Sequence, residues 1–269
     1  MSQPKARSSR NITATDRSVM EEDLIKRRPF VLRAALFLFS ALCSLCIFAL
    51  FAMWLLVRPD SVLPDHWNPT RPLSITAPVT PVTHWQLFLA ARDEAACRDV
   101  LARAGVGFSQ LKEFTSGEHC GIAQRGSLST LIGAQVAPVE TRCSTALRLA
   151  MWEHHELQPA AKAHLGTDVS QLLHIGSYNC RKMRTSRGTS SGWSSHATAR
   201  SFDITGVRLS DGRRLTLLKD WEGAGPEAAF MRQIWRGSCR WFRLVLGPEY
   251  NRLHADHFHL QTTGWGLCR

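Results

Sequence analysis

The sequence predicts an α+β domain, with a small, mostly antiparallel sheet and flanking helices, preceded by one N-terminal transmembrane helix. Three observations predict it. An uncharged apolar run at residues 34–57 stands apart from everything after it. Beyond it, segments with helical spacing come first, and short strand-like runs mixed with one more helix follow.

Residues 1–28 are polar with no periodic apolar pattern, so 1–33 reads as a cytoplasmic tail leading into the helix. The 34–57 run carries no charge, and about 20 apolar residues suffice to cross a bilayer core. No small-x-small cleavage site follows, so the run reads as a retained anchor rather than a removable signal. Lys26, Arg27, Arg28 and Arg33 precede it and only Arg58 closely follows. That bias places the N-terminus in the cytoplasm and the remainder outside, as in a single-pass membrane protein. Residues 58–84 contain Pro59, Pro64, Pro69, Pro72, Pro78 and Pro81 and read as a semi-rigid linker extending about 3 Å per residue.

The globular domain is expected over 85–269. Leu87, Ala91, Ala95, Val100 and Leu101 give residues 86–104 helical spacing, with Gly105 as a stop. A second helical region covers 144–165, where Pro159 is expected to break or restart the helix. A third runs from Pro226, suited to a first-turn position, to about Trp235. Strand character marks 169–178, 201–207, 213–218 and 256–262, and Asp211-Gly212 is a tight-turn signal.

Six cysteines, Cys97, Cys120, Cys143, Cys180, Cys239 and Cys268, lie after the apolar run, and Cys43 and Cys46 lie within it. An even set outside the membrane predicts up to three disulfides formed in an oxidising compartment. The chain carries a formal charge of +11, and Lys plus Arg still exceed Asp plus Glu by seven from Trp85 onward. Such a surface suits an anionic polymer such as the cell wall, or acidic headgroups. The location and the lack of an aromatic-interleaved basic motif argue against nucleic acid.

The chemistry concentrates in two motifs, Ser194-Ser195-His196-Ala197-Thr198-Ala199-Arg200-Ser201-Phe202-Asp203 and His254-Ala255-Asp256-His257-Phe258-His259. Two histidines and a carboxylate are a ligand set that zinc accepts with an open fourth position, the mark of a catalytic rather than a structural site. Residues two apart in a strand share a face, so His257 and His259 can look into one pocket. A regular strand would turn Asp256 away from that face, and a role for it requires a bend or bulge. Ser177 and Ser194 read as turn or frame residues, because no separate histidine-carboxylate pair is left to activate them.

Ser-x-His-(x)6-Asp followed by His-x-His resembles the zinc peptidase superfamily of D-Ala-D-Ala carboxypeptidases and dipeptidases, murein endopeptidases and the Hedgehog signalling domain. More closely, Gly176-Ser177-Tyr178-Asn179-Cys180-Arg181, Leu246-Gly247-Pro248-Glu249-Tyr250-Asn251 and the His254–His259 block are similar to the bacterial extensin-like C-terminal family. The resemblance implies Zn2+ held by His196, Asp203 and His259. It implies a general base among Asp256, His257 and His254, and an oxyanion-facing arginine at Arg181. Ala199 and Ser201 stand where the usual motif has Gly and Ala. The activity implied is amide hydrolysis in peptidoglycan stem peptides or cross-links. The alternative is a zinc-stabilised module that binds the wall, or scaffolds the envelope, without catalysis.

Overall fold

A computed structural model describes residues 14–186 and 188–269, and the chain divides into two units that meet between Val62 and Leu63. The first unit carries α1 (Ala14–Val57), whose stretch Leu32–Val57 is long and apolar enough to cross a membrane. The described part of the expected tail is therefore helical and continuous with the apolar run. Residues 1–13 of that tail lie outside the described residues.

The second unit begins earlier than the sequence implied. Leu73 and Ile75, in the segment expected to be an open spacer, are buried in the core. Gln86 Nε2 donates to the carbonyls of Asp65 and Asn68, each at 3.0 Å, and His155 Nε2 donates to the Ile75 carbonyl at 2.7 Å. The prolines impose an extended path with few N–H donors, and side chains of the domain satisfy its carbonyls.

Helices α2 (Thr83–Arg92) and α3 (Glu94–Arg103) replace the single helix expected over 86–104. The break is at Asp93, whose side chain accepts the Ala96 N–H as an N-cap, and Gly105 follows α3 at φ +73°. Helix α4 (Cys143–Trp152) passes through a π-turn at Glu153–Leu157 into α5 (Gln158–Leu165), and Pro159 sits in the first turn of α5, where its missing N–H costs nothing. After α6 (Leu217–Asp220), α7 starts at Pro226 as expected but continues to Trp241.

The strands are β1 (Gly107–Gln110), β2 (Phe114–Thr115), β3 (Gly121–Ile122), β4 (Arg125–Thr130), β5 (Gln135–Arg142), β6 (Val169–Gly176), β7 (Lys182–Thr185), β8 (Gly188–Trp193), β9 (Ser201–Leu209), β10 (Arg214–Thr216), β11 (Leu244–Leu246), β12 (Phe258–Gln261) and β13 (Leu267–Cys268). Nine form one sheet in the order β1-β4-β5-β6-β9-β12-β11-β13, with β10 also paired to β9. The α+β class is as predicted, but the sheet is mixed rather than mostly antiparallel, because β5–β6 and β11–β13 pair in parallel. The β5–β6 crossover runs through α4 and α5, as a parallel connection requires. Two small hairpins, β2–β3 and β7–β8, stand off the main sheet.

Alternation in β9 and β12 separates core from site. Phe202, Ile204, Phe258 and Leu260 are fully buried and belong to the core cluster that includes Trp152, Phe230 and Trp241 of the helices. Burying each such side chain contributes about 1.5–3 kcal/mol. Ser201, Asp203, His259 and Gln261 take the opposite face. The six cysteines that follow α1 form three disulfides, Cys97–Cys143, Cys120–Cys180 and Cys239–Cys268, as the even count predicted.

Candidate metal centre in the cleft

The register of the central strands builds the site. In the antiparallel β9–β12 pair, Asp203 stands directly opposite His259, so their side chains meet on one face. His196 comes from a short 3-10 turn, Ser195–Thr198, capped by Ser194 and closed by Ala199 at φ +49°. A left-handed conformation favours glycine, and this turn holds alanine in it. It reverses the chain so that His196 reaches back over β9.

The three candidate ligands converge. His196 Nε2 lies 3.1 Å from Asp203 Oδ2, His259 Nδ1 lies 2.9 Å from Asp203 Oδ1, and the two ring nitrogens are 3.2 Å apart. All three residues are buried. Four ligands around tetrahedral zinc, with bonds of about 2.0–2.1 Å, are separated by about 3.3–3.4 Å. The three donors therefore stand within a few tenths of an ångström of metal-ligand spacing.

Proton bookkeeping supports the same reading. His196 Nδ1–H donates to the Ser177 carbonyl at 2.8 Å, and His259 Nε2–H donates to Gln261 Oε1 at 3.3 Å. Gln261 is oriented by donating its own Nε2 to Thr263 Oγ1 at 3.1 Å. With both outer nitrogens protonated, the inner nitrogens present lone pairs, and they face a carboxylate. Three converging acceptors in a buried space can hold a cation between them, and oxygen acceptors behind metal-bound imidazoles are the usual support of such a site. Burial pushes the Asp203 carboxyl up; imidazoles protonated at those inner nitrogens instead outweigh it by hydrogen bond and charge and hold the group well below the ordinary carboxylate range, and a metal would take the place of those protons. The donor set, spacing and outer hydrogen bonds fit a zinc ion.

The other predicted residues divide. Strand β12 starts only at Phe258, so Asp256 and His257 lie in the turn before it rather than in a strand. The side chain of Asp256 is 61% exposed and accepts His257 Nδ1–H at 2.8 Å; His257 Nε2 approaches Asp203 Oδ2 at 3.8 Å. Asp256 thus stands behind His257. His254 Nδ1–H donates to Asn251 Oδ1 at 2.8 Å, and its ring lies 5.3 Å from that of His257 and 5.8 Å from that of His259. Burial, then the charges of His259 and His257, pull His254 down to about 4. Arg181 lines the same cleft, and its charge also depresses His254.

The cleft has a volume of about 1070 Å³, and its walls include both small hairpins, Tyr178, Trp193 and Tyr250. The Cys120–Cys180 disulfide joins the β2–β3 hairpin to the loop carrying Arg181. Ser177 is buried as a frame residue: its hydroxyl donates to the Ser201 carbonyl at 2.7 Å and accepts from Thr141 Oγ1 at 2.7 Å. Sequence reasoning missed Gln261 and Asn251. The two-residue step from His259 to Gln261 on one strand face was the available signal for the first.

An α+β domain with a buried His-Asp-His cluster at the floor of a large cleft is the class of protein that fold and site define. Residues 95–269 match the family of the extensin-like protein C-terminus, and the chain belongs to that family. No curated protein and no solved structure matches it.

Proposed function

We propose that the chain is a membrane-anchored, zinc-dependent peptidase that hydrolyses amide bonds in peptidoglycan stem peptides or cross-links. The observation that carries the metal is the convergence of His196 Nε2, Asp203 and His259 Nδ1, with both outer imidazole nitrogens tied to oxygen acceptors. The substrate class comes from the likeness of the motifs to murein endopeptidases and D-Ala-D-Ala carboxypeptidases. The apolar helix and the disulfides support a single-pass inner-membrane protein with a cytoplasmic N-terminus and a periplasmic domain.

Zinc, when bound, supplies Lewis acidity and a water acidified to a pKa of about 7. Of the three base candidates, His257 has the best geometry. Its Nδ1–H is fixed by Asp256, and its free Nε2 points at the centre. His257 takes a proton from the attacking water at Nε2 and returns it to the departing amine nitrogen as the carbon–nitrogen bond breaks. Asp256 holds the tautomer and stabilises the imidazolium. Arg181 lines the cleft where a fixed cation can face the developing oxyanion.

The test is digestion of purified sacculi by the full-length chain in detergent, with the released fragments identified by mass. Soluble muropeptides are expected, abolished by a chelator and restored by zinc. Asp256→Asn and His257→Ala should keep the metal and lose activity by about 100-fold or more. Arg181→Lys keeps the charge but not the donor geometry and should weaken turnover. A zinc-loaded chain that binds sacculi and releases nothing would establish the wall-binding module instead.

A further inference from the structure

A second pair of side chains in the cleft has no task in the chemistry above. Arg142 ends β5 at the N-cap of α4, and Arg200 lies between the Ser195–Thr198 turn and β9. Both line the cleft that contains the His-Asp-His cluster. The backbone of Arg200 is fixed, its carbonyl accepting both Thr262 N–H and Thr262 Oγ1 at 2.8 and 3.1 Å. Neither guanidinium meets a carboxylate or a carbonyl oxygen among the described residues. The contrast is with Arg125, the cross-strand neighbour of Arg142, which is held bidentately by Glu140 at 2.9 and 2.7 Å.

Two arginines facing one cavity with no carboxylate in ion-pair contact repel each other. Burial, and after it the charge of Arg200, pull the Arg142 guanidinium below its ordinary range, with Glu113 opposing only in part. Glu113 acts on Arg142 only through space: no ion pair joins the two among the described residues, and the Glu113 Oε1 accepts the Gln124 N–H at 2.8 Å. In the same lining, the buried Tyr178 hydroxyl has no hydrogen-bond partner among the described residues. A polar wall left with unspent donors is built for a ligand that brings acceptors.

We propose that Arg142 and Arg200 form a carboxylate-binding subsite in the cleft, which selects peptides carrying a free carboxylate beside the bond held at the metal centre. The nature of the ligand rests on the peptidase reading; the anion preference does not. A guanidinium fork matches a carboxylate in two parallel hydrogen bonds, which gives orientation as well as affinity.

The test measures binding rather than turnover. A synthetic stem pentapeptide and a counterpart with every carboxylate converted to carboxamide are titrated calorimetrically into the full-length, zinc-loaded chain in detergent. The wild type should prefer the carboxylate form by about tenfold or more, the scale of one charge-assisted bidentate contact. Arg142→Gln and Arg200→Gln should each remove most of that preference while leaving zinc content and affinity for the amidated peptide unchanged. Arg200 is exposed, so its variant remains informative if Arg142→Gln fails to fold. Equal affinity of the wild type for the two peptides, or a preference that survives in the Arg200→Gln chain, overturns the subsite. Inorganic phosphate binding more tightly than the peptide overturns it too, in favour of a phosphate ligand. A chain that shows the preference and never cleaves defeats the peptidase reading and leaves the subsite standing.

Discussion

Replacing Asp203 with asparagine removes the one charge in the ligand cluster while keeping its shape. The carboxylate sits 2.9 and 3.1 Å from two imidazole nitrogens in a buried space, so metal binding requires little rearrangement and its free energy appears as stability. Removing one partner of a buried charged cluster costs about 3–5 kcal/mol, so zinc affinity should fall by about 10²- to 10⁴-fold. At free zinc 1,000 times the wild-type Kd, metal stabilises the fold by about 4.1 kcal/mol. For a unit of this size that raises Tm by about 8–16 °C. At the same zinc level Asp203→Asn should gain about 1.4 kcal/mol or less, a shift below about 6 °C. Calorimetric melts of the full-length chain in detergent, with and without zinc, read both numbers. A wild type whose Tm ignores zinc, or a variant that binds it with undiminished affinity, refutes the metal centre.

Three further outcomes are expected. Gln261→Leu leaves His259 Nε2–H without its acceptor, and zinc affinity measured against a competing chelator should drop by about 10-fold. Replacing Cys120 and Cys180 together with serine opens a loop with a sequence separation of 60. That should cost about 4 kcal/mol by chain entropy, read as a lowered Tm, and should weaken turnover through the loosened Arg181 loop. Burial, then the charge of His154, pulls His155 from 6.5 to about 4, so between these values the unfolded chain binds a proton that the folded chain refuses. Stability should therefore rise with pH across that window and fall as pH drops through it. His155→Gln should flatten the slope in denaturant titrations repeated from pH 4 to 7.

The site was more legible than the frame that holds it. His196, Asp203 and His259 stood out because their types and spacing match a ligand set. The opposition of Asp203 and His259 depends on a register that spacing alone does not fix. The Asp256 difficulty arose from starting the strand at residue 256. The turn before Phe258 frees Asp256 to support His257 instead. Strands β1 to β5 went unread because runs such as Arg125–Thr130 are half polar and glycine-bearing, without clean alternation. The 58–84 segment misled for another reason. Proline content reports backbone stiffness, while Leu73 and Ile75 decide where a stiff backbone docks.

The two imidazoles of the candidate metal centre differ in how their orientation is encoded. His259 is steadied by a side chain, Gln261, so a single codon change can detach it. His196 is steadied by the Ser177 main-chain carbonyl, which every residue type possesses. No substitution at position 177 deletes that acceptor. It can only be displaced, by disturbing the path that Thr141 and the Ser201 carbonyl impose on the Ser177 hydroxyl. Mutational damage to this half of the site should therefore arrive from outside the cluster, through the Ser177 hydroxyl, Thr141 on β5 or the start of β9, and a survey confined to the three candidate ligands would overlook it.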